Sequence, residues 1–249
     1  MNSLTRAAKL FRAPAMMAAA LALTMPQLSA IERKQKSLIE LFTSQGCPAC
    51  PAADALLHKF SKRDDVIVLS LSVHYWDYIG WKDTLATPGN TQRQKDYARR
   101  KPGGEGRIYT PQMVVNGAAC APAIVKDKIE AELARTNVLL KDRRVTINGR
   151  HDGPALIVQV GGRAENSPAS ATVWLARVSP SAEVAIHKGE NSGKKISYVN
   201  VVRALKRIGK WDGKPIEYEA PFEAANSDFY VAILQSDIDG VVIGAVDIH

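Results

Sequence analysis

Between Thr43 and Phe60 the chain reads TSQGCPACPAADALLHKF, and the two cysteines in it, separated by Pro48 and Ala49, decide the kind of domain. A C-x-x-C pair can be a redox dithiol, half of a metal site or an inert structural disulfide, so its flanks must choose. Upstream runs SLIELFTS, a strand-like apolar stretch, and downstream a helical pattern begins around Pro48 to Pro51 and reaches Ser61. This order places Cys47 at a helix N-terminus, where unpaired N–H groups and the helix dipole stabilise a thiolate. Cys50, one turn along, faces the same side and can resolve a mixed disulfide formed on Cys47. Proline suits the first helical turn, because its missing N–H has no intrahelical partner to lose.

Strand, C-x-x-C and helix in that order form a thioredoxin-type redox signature. Working outward, RIYTPQMVVNGAAC from Arg107 to Cys120 carries Thr110-Pro111 directly before a strand, a place that resembles the cis-proline loop of thioredoxin-like proteins. Pro111 is expected to be cis, to face the dithiol and to present backbone groups to an extended substrate. A two-residue Asn116-Gly117 hairpin turn would set Val115 against Ala118, Val114 against Ala119 and Met113 against Cys120. Cys120 then returns toward the dithiol as a relay thiol, a further soft metal ligand or a small buried hydrophobe.

The run VHYWDYIGWKD crowds His74, Tyr75, Trp76, Asp77, Tyr78 and Trp81 just past the carboxyl end of VIVLSLS. In an open α/β sheet the ligand crevice lies at such strand ends. With Thr110, these residues are the expected substrate cleft for an unfolded polypeptide or an apolar ligand, and His74 or Asp77 could assist proton transfer. The bland alternative is that the aromatics pack the loop onto the domain and His74 is simply hydrogen-bonded.

At the N-terminus, Arg6, Lys9 and Arg12 precede the apolar run APAMMAAALALTM, too short for a transmembrane helix and typical of a secretory signal peptide cleaved near Ala30. The mature protein is expected to be secreted or periplasmic, without a transmembrane segment, where disulfides persist. Loss of residues 1–30 removes three basic groups and no acid, leaving 30 Lys and Arg against 25 acids, a net charge of +5. That mild balance argues against a nucleic-acid partner. Arg203, Lys206, Arg207 and Lys210, interleaved with apolar positions, read as a solvated helix face at least as well as a surface for an anionic partner.

The pattern changes near residue 142. Before it, SLIELF and VIVLSLSV alternate with helical segments at Pro51–Ser61, about Thr91–Arg100 and about Pro122–Arg135, an α/β layout. After it come RRVTING, ALIVQV, SATVWLARV, EVAIHK, YVAILQ and VVIGAVDI, short β-rich runs separated by turn residues. The expected organisation is a signal peptide at 1–30, a thioredoxin-like α/β domain at 31–141 and a β-rich, sandwich-like domain at 142–249.

The segments ELFTSQGCPACPAADALL, HYWDYIGWKD, RIYTPQMVVNG, GENSGKKISYVNVVRALKRIGKW and VVIGAVDI resemble the DUF1223 family of secreted proteins over nearly all of the mature chain. The resemblance implies export and a thioredoxin-like domain but brings no substrate, since the family is defined by unknown function. Its members tend to carry serines between the cysteines, where this chain has Pro48 and Ala49, a departure that alters redox poise and keeps the dithiol.

The favoured reading is thiol–disulfide exchange on exported protein thiols or disulfides, with Cys47 attacking, Cys50 resolving and Pro111 positioning the substrate. A membrane redox partner could exchange electrons with the pair. The Cys47–Cys50 couple needs no organic cofactor, because the sulfurs hold the electrons. A rival is a copper-binding module using Cys47, Cys50 and His74 or Cys120, and another is a structural disulfide on a ligand-binding protein. GENSGKK is one residue short of a phosphate-binding loop and has lysine where Ser or Thr should stand. It reads as a Gly-rich turn that could border a site through Glu190 or Asn191. His151, His187 and His249 show no metal-ligand spacing.

Overall fold

The computed structural model describes residues 35–101, 106–223 and 227–249; the segment expected to be a signal peptide, residues 1–30, lies outside them. The runs SLIELFT and VIVLSLS become strands β1 (Ser37–Thr43) and β2 (Val66–Ser72), each buried at every position, as strands covered on both faces must be. They pair in parallel from Ser37↔Val66 to Thr43↔Ser72. Helix α1 (Cys50–Phe60) crosses between them, and helix α2 (Pro88–Arg100) follows β2. Strand β3 (Gln112–Val115) pairs antiparallel with β1, then β4 (Ala119–Pro122) with β3, and α3 (Lys126–Leu140) closes this half.

Strands β5 (Ile147–Asp152), β6 (Ala155–Val160), β7 (Ala171–Ala185), β8 (Lys195–Trp211), β9 (Ile216–Pro221), β10 (Phe229–Ser236) and β11 (Val242–Ile248) make up the rest. Together with β1–β4 they form two sheets, one of eight strands in the order β11-β10-β7-β8-β2-β1-β3-β4 and one of three in the order β5-β6-β9. The change of pattern at residue 142 is therefore not a break between sheets: β8 joins β2 through the parallel pair Ser70↔Val201. Val242 N–H also donates to the Asn116 carbonyl at 2.8 Å. The described chain packs as one compact unit. A sandwich-like layer does form, since Leu156, Val158 and Val160 of the small sheet share a core with Val173, Leu175, Ala232 and Leu234 of the large one.

Two faces of the large sheet carry the helices. Ile39 and Leu41 face α1 and α3, packing with Leu57, Phe60, Ile129 and Leu133. Leu38 and Phe42 face the other way, with Tyr97 of α2 and Val202 of β8. Glu40 points to this second face and is buried against Arg93, whose guanidinium grips both carboxylate oxygens while the Tyr97 hydroxyl donates to the same group.

Two expectations need correction. The basic cluster Arg203 to Lys210 lies on a 17-residue strand, β8, not on a helix. Its β-branched residues Ile196, Val199, Val201 and Val202 pair along β7, which itself continues through the EVA of EVAIHK to Ala185. The cations turn to neighbours in the fold, Arg203 to Ser179, Lys206 to Glu223 and Lys210 to Asp237. The β3–β4 hairpin is shifted by one residue. Val115 pairs with Ala119, Val114 with Cys120 and Met113 with Ala121. Asn116 and Gly117 both take positive φ, 49° and 64°, and Ala118 donates to Val115 at 2.9 Å as an extra turn residue. Its consequence is that Cys120 shares the sheet face of Val114 and α2, opposite to the face that carries α1.

Candidate functional site

The site lies where β1 ends. From Thr43 the chain bends through Ser44–Ala49, held by Cys47 N–H to the Ser44 carbonyl at 3.1 Å and by Cys50 N–H to the Cys47 carbonyl at 3.2 Å. Helix α1 starts at Cys50, inside the Pro48–Pro51 window the pattern predicts, with Ala49 at the N-cap and no side chain capping it, so Cys47 stands three residues ahead of the helix and not at its N-terminus. Cys47 and Cys50 are joined in a disulfide, with Cα atoms 5.4 Å apart. Both are buried, at 1% and 0% exposure, while Pro48 and Ala49 between them are exposed. A freely approachable Cys47 sulfur is therefore not what the fold presents.

The Thr110–Pro111 peptide bond is cis. Because Phe42 pairs with Gln112, Pro111 comes to the same sheet end as Thr43 and the C-x-x-C loop. Trp76 bridges the two segments. Its indole N–H donates to Thr110 Oγ1 at 2.7 Å, and its Cβ packs so closely on Gly46 that a side chain there would meet it at 3.0 Å. Any larger residue at 46 would have to push Trp76 back by a few tenths of an ångström.

The aromatic loop is mostly a wall. Trp81 donates from its indole N–H to Gln45 Oε1 at 2.8 Å and meets His187 edge-on at 5.9 Å. Asp77 accepts the Asp83 N–H at 3.1 Å, and Tyr75 packs into the α2-side core. Tyr78 stands 81% exposed. His74 turns to the start of α2, its Nδ1 2.8 Å from Thr91 Oγ1. Cys120, half-buried, lies 3.7 Å from Gln112 Nε2. Among the described residues no three His, Cys, Asp or Glu side chains gather as a metal cluster.

Three more residues hold this loop; sequence reasoning missed Asp54 and Asp83, and named Asn191 only as a residue through which a Gly-rich turn could border a site. Asp83 accepts the Gln45 N–H at 2.8 Å and the N–H groups of Leu85 and Ala86; burial pushes its carboxyl up while those three donors pull it down. Asn191, fully buried, donates from Nδ2 to the carbonyls of both Gln45 and Cys47 at 2.9 Å. Asp54, one turn beyond Cys50, is buried on the α1 inner face and accepts from Thr43 Oγ1 at 3.1 Å. Burial pushes it up to about 8, opposed by the Thr43 hydrogen bond and helped by the charge of Asp83. Asp54 Oδ1 and the hydroxyls of Ser70, Ser72 and Tyr198 find no partner among the described residues, so a neutral, protonated carboxyl suits the place. An opening of about 480 Å³ borders this helix start, between Pro51, Asp54 and His58 on one side and Lys194 to Ser197 on the other. An Asp at the fourth position after the second cysteine is a legible signal. Asp83 and Asn191 come from loops whose approach depends on the whole sheet.

An eight-stranded mixed sheet with a second, mostly β layer, carrying a disulfide at the β1–α1 junction, defines the class. The chain belongs to DUF1223, a family of proteins of unknown function, whose profile matches residues 38–235. Among solved structures it is similar to protein AGR_C_4864 from Agrobacterium tumefaciens, at 29% identity and a TM-score of 0.73, over 86% of this chain and 95% of that one. A domain of the outer membrane lipoprotein Omp28 from Porphyromonas gingivalis matches at 15% identity and a TM-score of 0.22, over 42% of this chain and 86% of that one. No curated protein matches the chain.

Proposed function

We propose that residues 35–141 form a thioredoxin-like domain and that the protein, exported after loss of residues 1–30, exchanges disulfides with protein substrates. The observation that carries this reading is the Cys47–Cys50 disulfide at the end of β1, with the Thr110-Pro111 loop at the same sheet end. The strand order β2-β1-β3-β4, with β1 and β2 parallel and β3 antiparallel, supports it. In the reducing direction the Cys47 thiolate attacks a substrate disulfide and expels one substrate thiolate. Cys50 then attacks the Cys47 sulfur, releases the second substrate thiolate and restores the Cys47–Cys50 bond. In the oxidising direction the same steps run backwards, and the reduction potential sets the direction.

One observation favours a second reading. Cys47 is buried at 1% exposure, whereas reactive cysteines are partly accessible, so a structural clip is the competing account. The test is trapping. Cys50→Ser removes the resolving thiol and should accumulate mixed disulfides with exported proteins on a non-reducing gel, while Cys47→Ser should trap far fewer. Equal trapping by both variants, or none by either, would favour the clip.

A further inference from the structure

The β7–β8 hairpin does more than connect two strands. From His187 to Lys195 every residue of its tip is exposed except Asn191, which is fully buried. That single side chain reaches into the C-x-x-C loop, where Nδ2 donates to the carbonyls of Gln45 and Cys47, both at 2.9 Å. Lys194 Nζ donates to Asn191 Oδ1 at 2.8 Å and fixes the amide in this orientation. Gly189, at φ +75°, brings the tip against the other wall, with room for an added Cβ only at 3.4 Å from the Ile79 carbonyl and from Trp81 Cβ. Gly193, at φ +80°, has nothing within 4 Å of an added Cβ. The tip thus rests on one polar catch, flanked by two glycines in left-handed conformation, and on the edge-on contact of His187 with Trp81.

We propose that the His187–Lys195 tip is a latch over the Cys47–Cys50 disulfide, with Asn191 as its catch, and that the latch must release before a reactant reaches Cys47. It rests on the exchange reading for its purpose, though not for its existence. The catch holds the carbonyl of Cys47 itself, so the loop that carries the buried sulfur cannot shift outward while Asn191 stays seated. Opening exchanges two amide–carbonyl hydrogen bonds for bonds to water, and withdraws one buried polar side chain. A partner that competes for the exposed tip would open the site without touching the sulfurs.

The experiment measures reduction of the oxidised full chain by a phosphine reductant, read by maleimide gel shift, beside urea unfolding of each variant. Asn191→Ala should be reduced on the order of 10- to 100-fold faster than the parent, the range expected from losing two hydrogen bonds of ordinary net strength. Lys194→Met, at an exposed position, removes only the bond that orients the amide and should give a several-fold increase with unchanged stability. If Asn191→Ala does not fold, Lys194→Met decides alone. Parental reduction rates in both variants, or an acceleration no larger than the rise in global unfolding, would overturn the latch. A fast Asn191→Ala that traps nothing as the Cys50→Ser double variant would keep the latch and reject exchange. Trapping by Cys50→Ser with parental reduction rates in the latch variants would do the reverse.

Discussion

Asp54 offers the sharpest test of the site's electrostatics. It is buried, one carboxyl oxygen accepts from Thr43 and the other has no partner among the described residues, and burial pushes it up to about 8. The ordinary value, 3.8, applies in the unfolded chain. Below 3.8 the carboxyl is neutral in both states. Between 3.8 and about 8 it is neutral when folded and charged when unfolded, so the folded state holds one extra proton and stability falls as pH rises. Above about 8 both states are ionised and the loss stops growing. One proton corresponds to about 1.4 kcal/mol per pH unit. Asp54→Asn is nearly isosteric and does not titrate, so the variant should gain on the parent by about 3 kcal/mol between about pH 5 and about pH 7. Asp83 titrates in both proteins and cancels to first order. Urea unfolding followed by tryptophan fluorescence, run as a pH series with the disulfide intact, reads the difference directly. Parallel stability curves for the two proteins would refute the reasoning, because they would place an ordinary carboxylate at Asp54.

Two further perturbations test how the site is carried. Glu40→Ala leaves the Arg93 guanidinium buried without its carboxylate and should cost about 3–5 kcal/mol in urea unfolding; a loss below about 1 kcal/mol would show that water reaches Arg93 readily. Gly117→Ala asks a side chain to take φ +64° with its Cβ 2.4 Å from the Gly240 carbonyl oxygen. Its loss in thermal or urea unfolding should exceed the about 1–2 kcal/mol of left-handed backbone alone. A smaller loss would mean that the β3–β4 hairpin and the β10–β11 turn are not tightly joined.

Local pattern was enough for the first strands, the C-x-x-C junction and the proline before β3. SLIELFT and VIVLSLS are apolar enough to be strands buried on both faces, and Cys47-Pro48-Ala49-Cys50 stands where a strand yields to a helix with a proline in its first turn. Thr110-Pro111 directly before β3 was legible as well, because proline is a local constraint. The basic run at Arg203–Lys210 was not. Its spacing serves a half-covered strand as well as a helix face, and the long pairing of β8 with β7 chose between them. The hairpin register turned on one residue, Ala118, which sits beside an Asn116 whose side chain and backbone are held by Leu38, Thr136 and Val242. Tertiary structure alone also decided that the disulfide is buried. Trp76 arrives from the β2–α2 loop and Asn191 from a hairpin 144 residues beyond Cys47. No local pattern can encode that approach, because it depends on the sheet continuing from β2 into β8 and so bringing a distant turn over the end of β1.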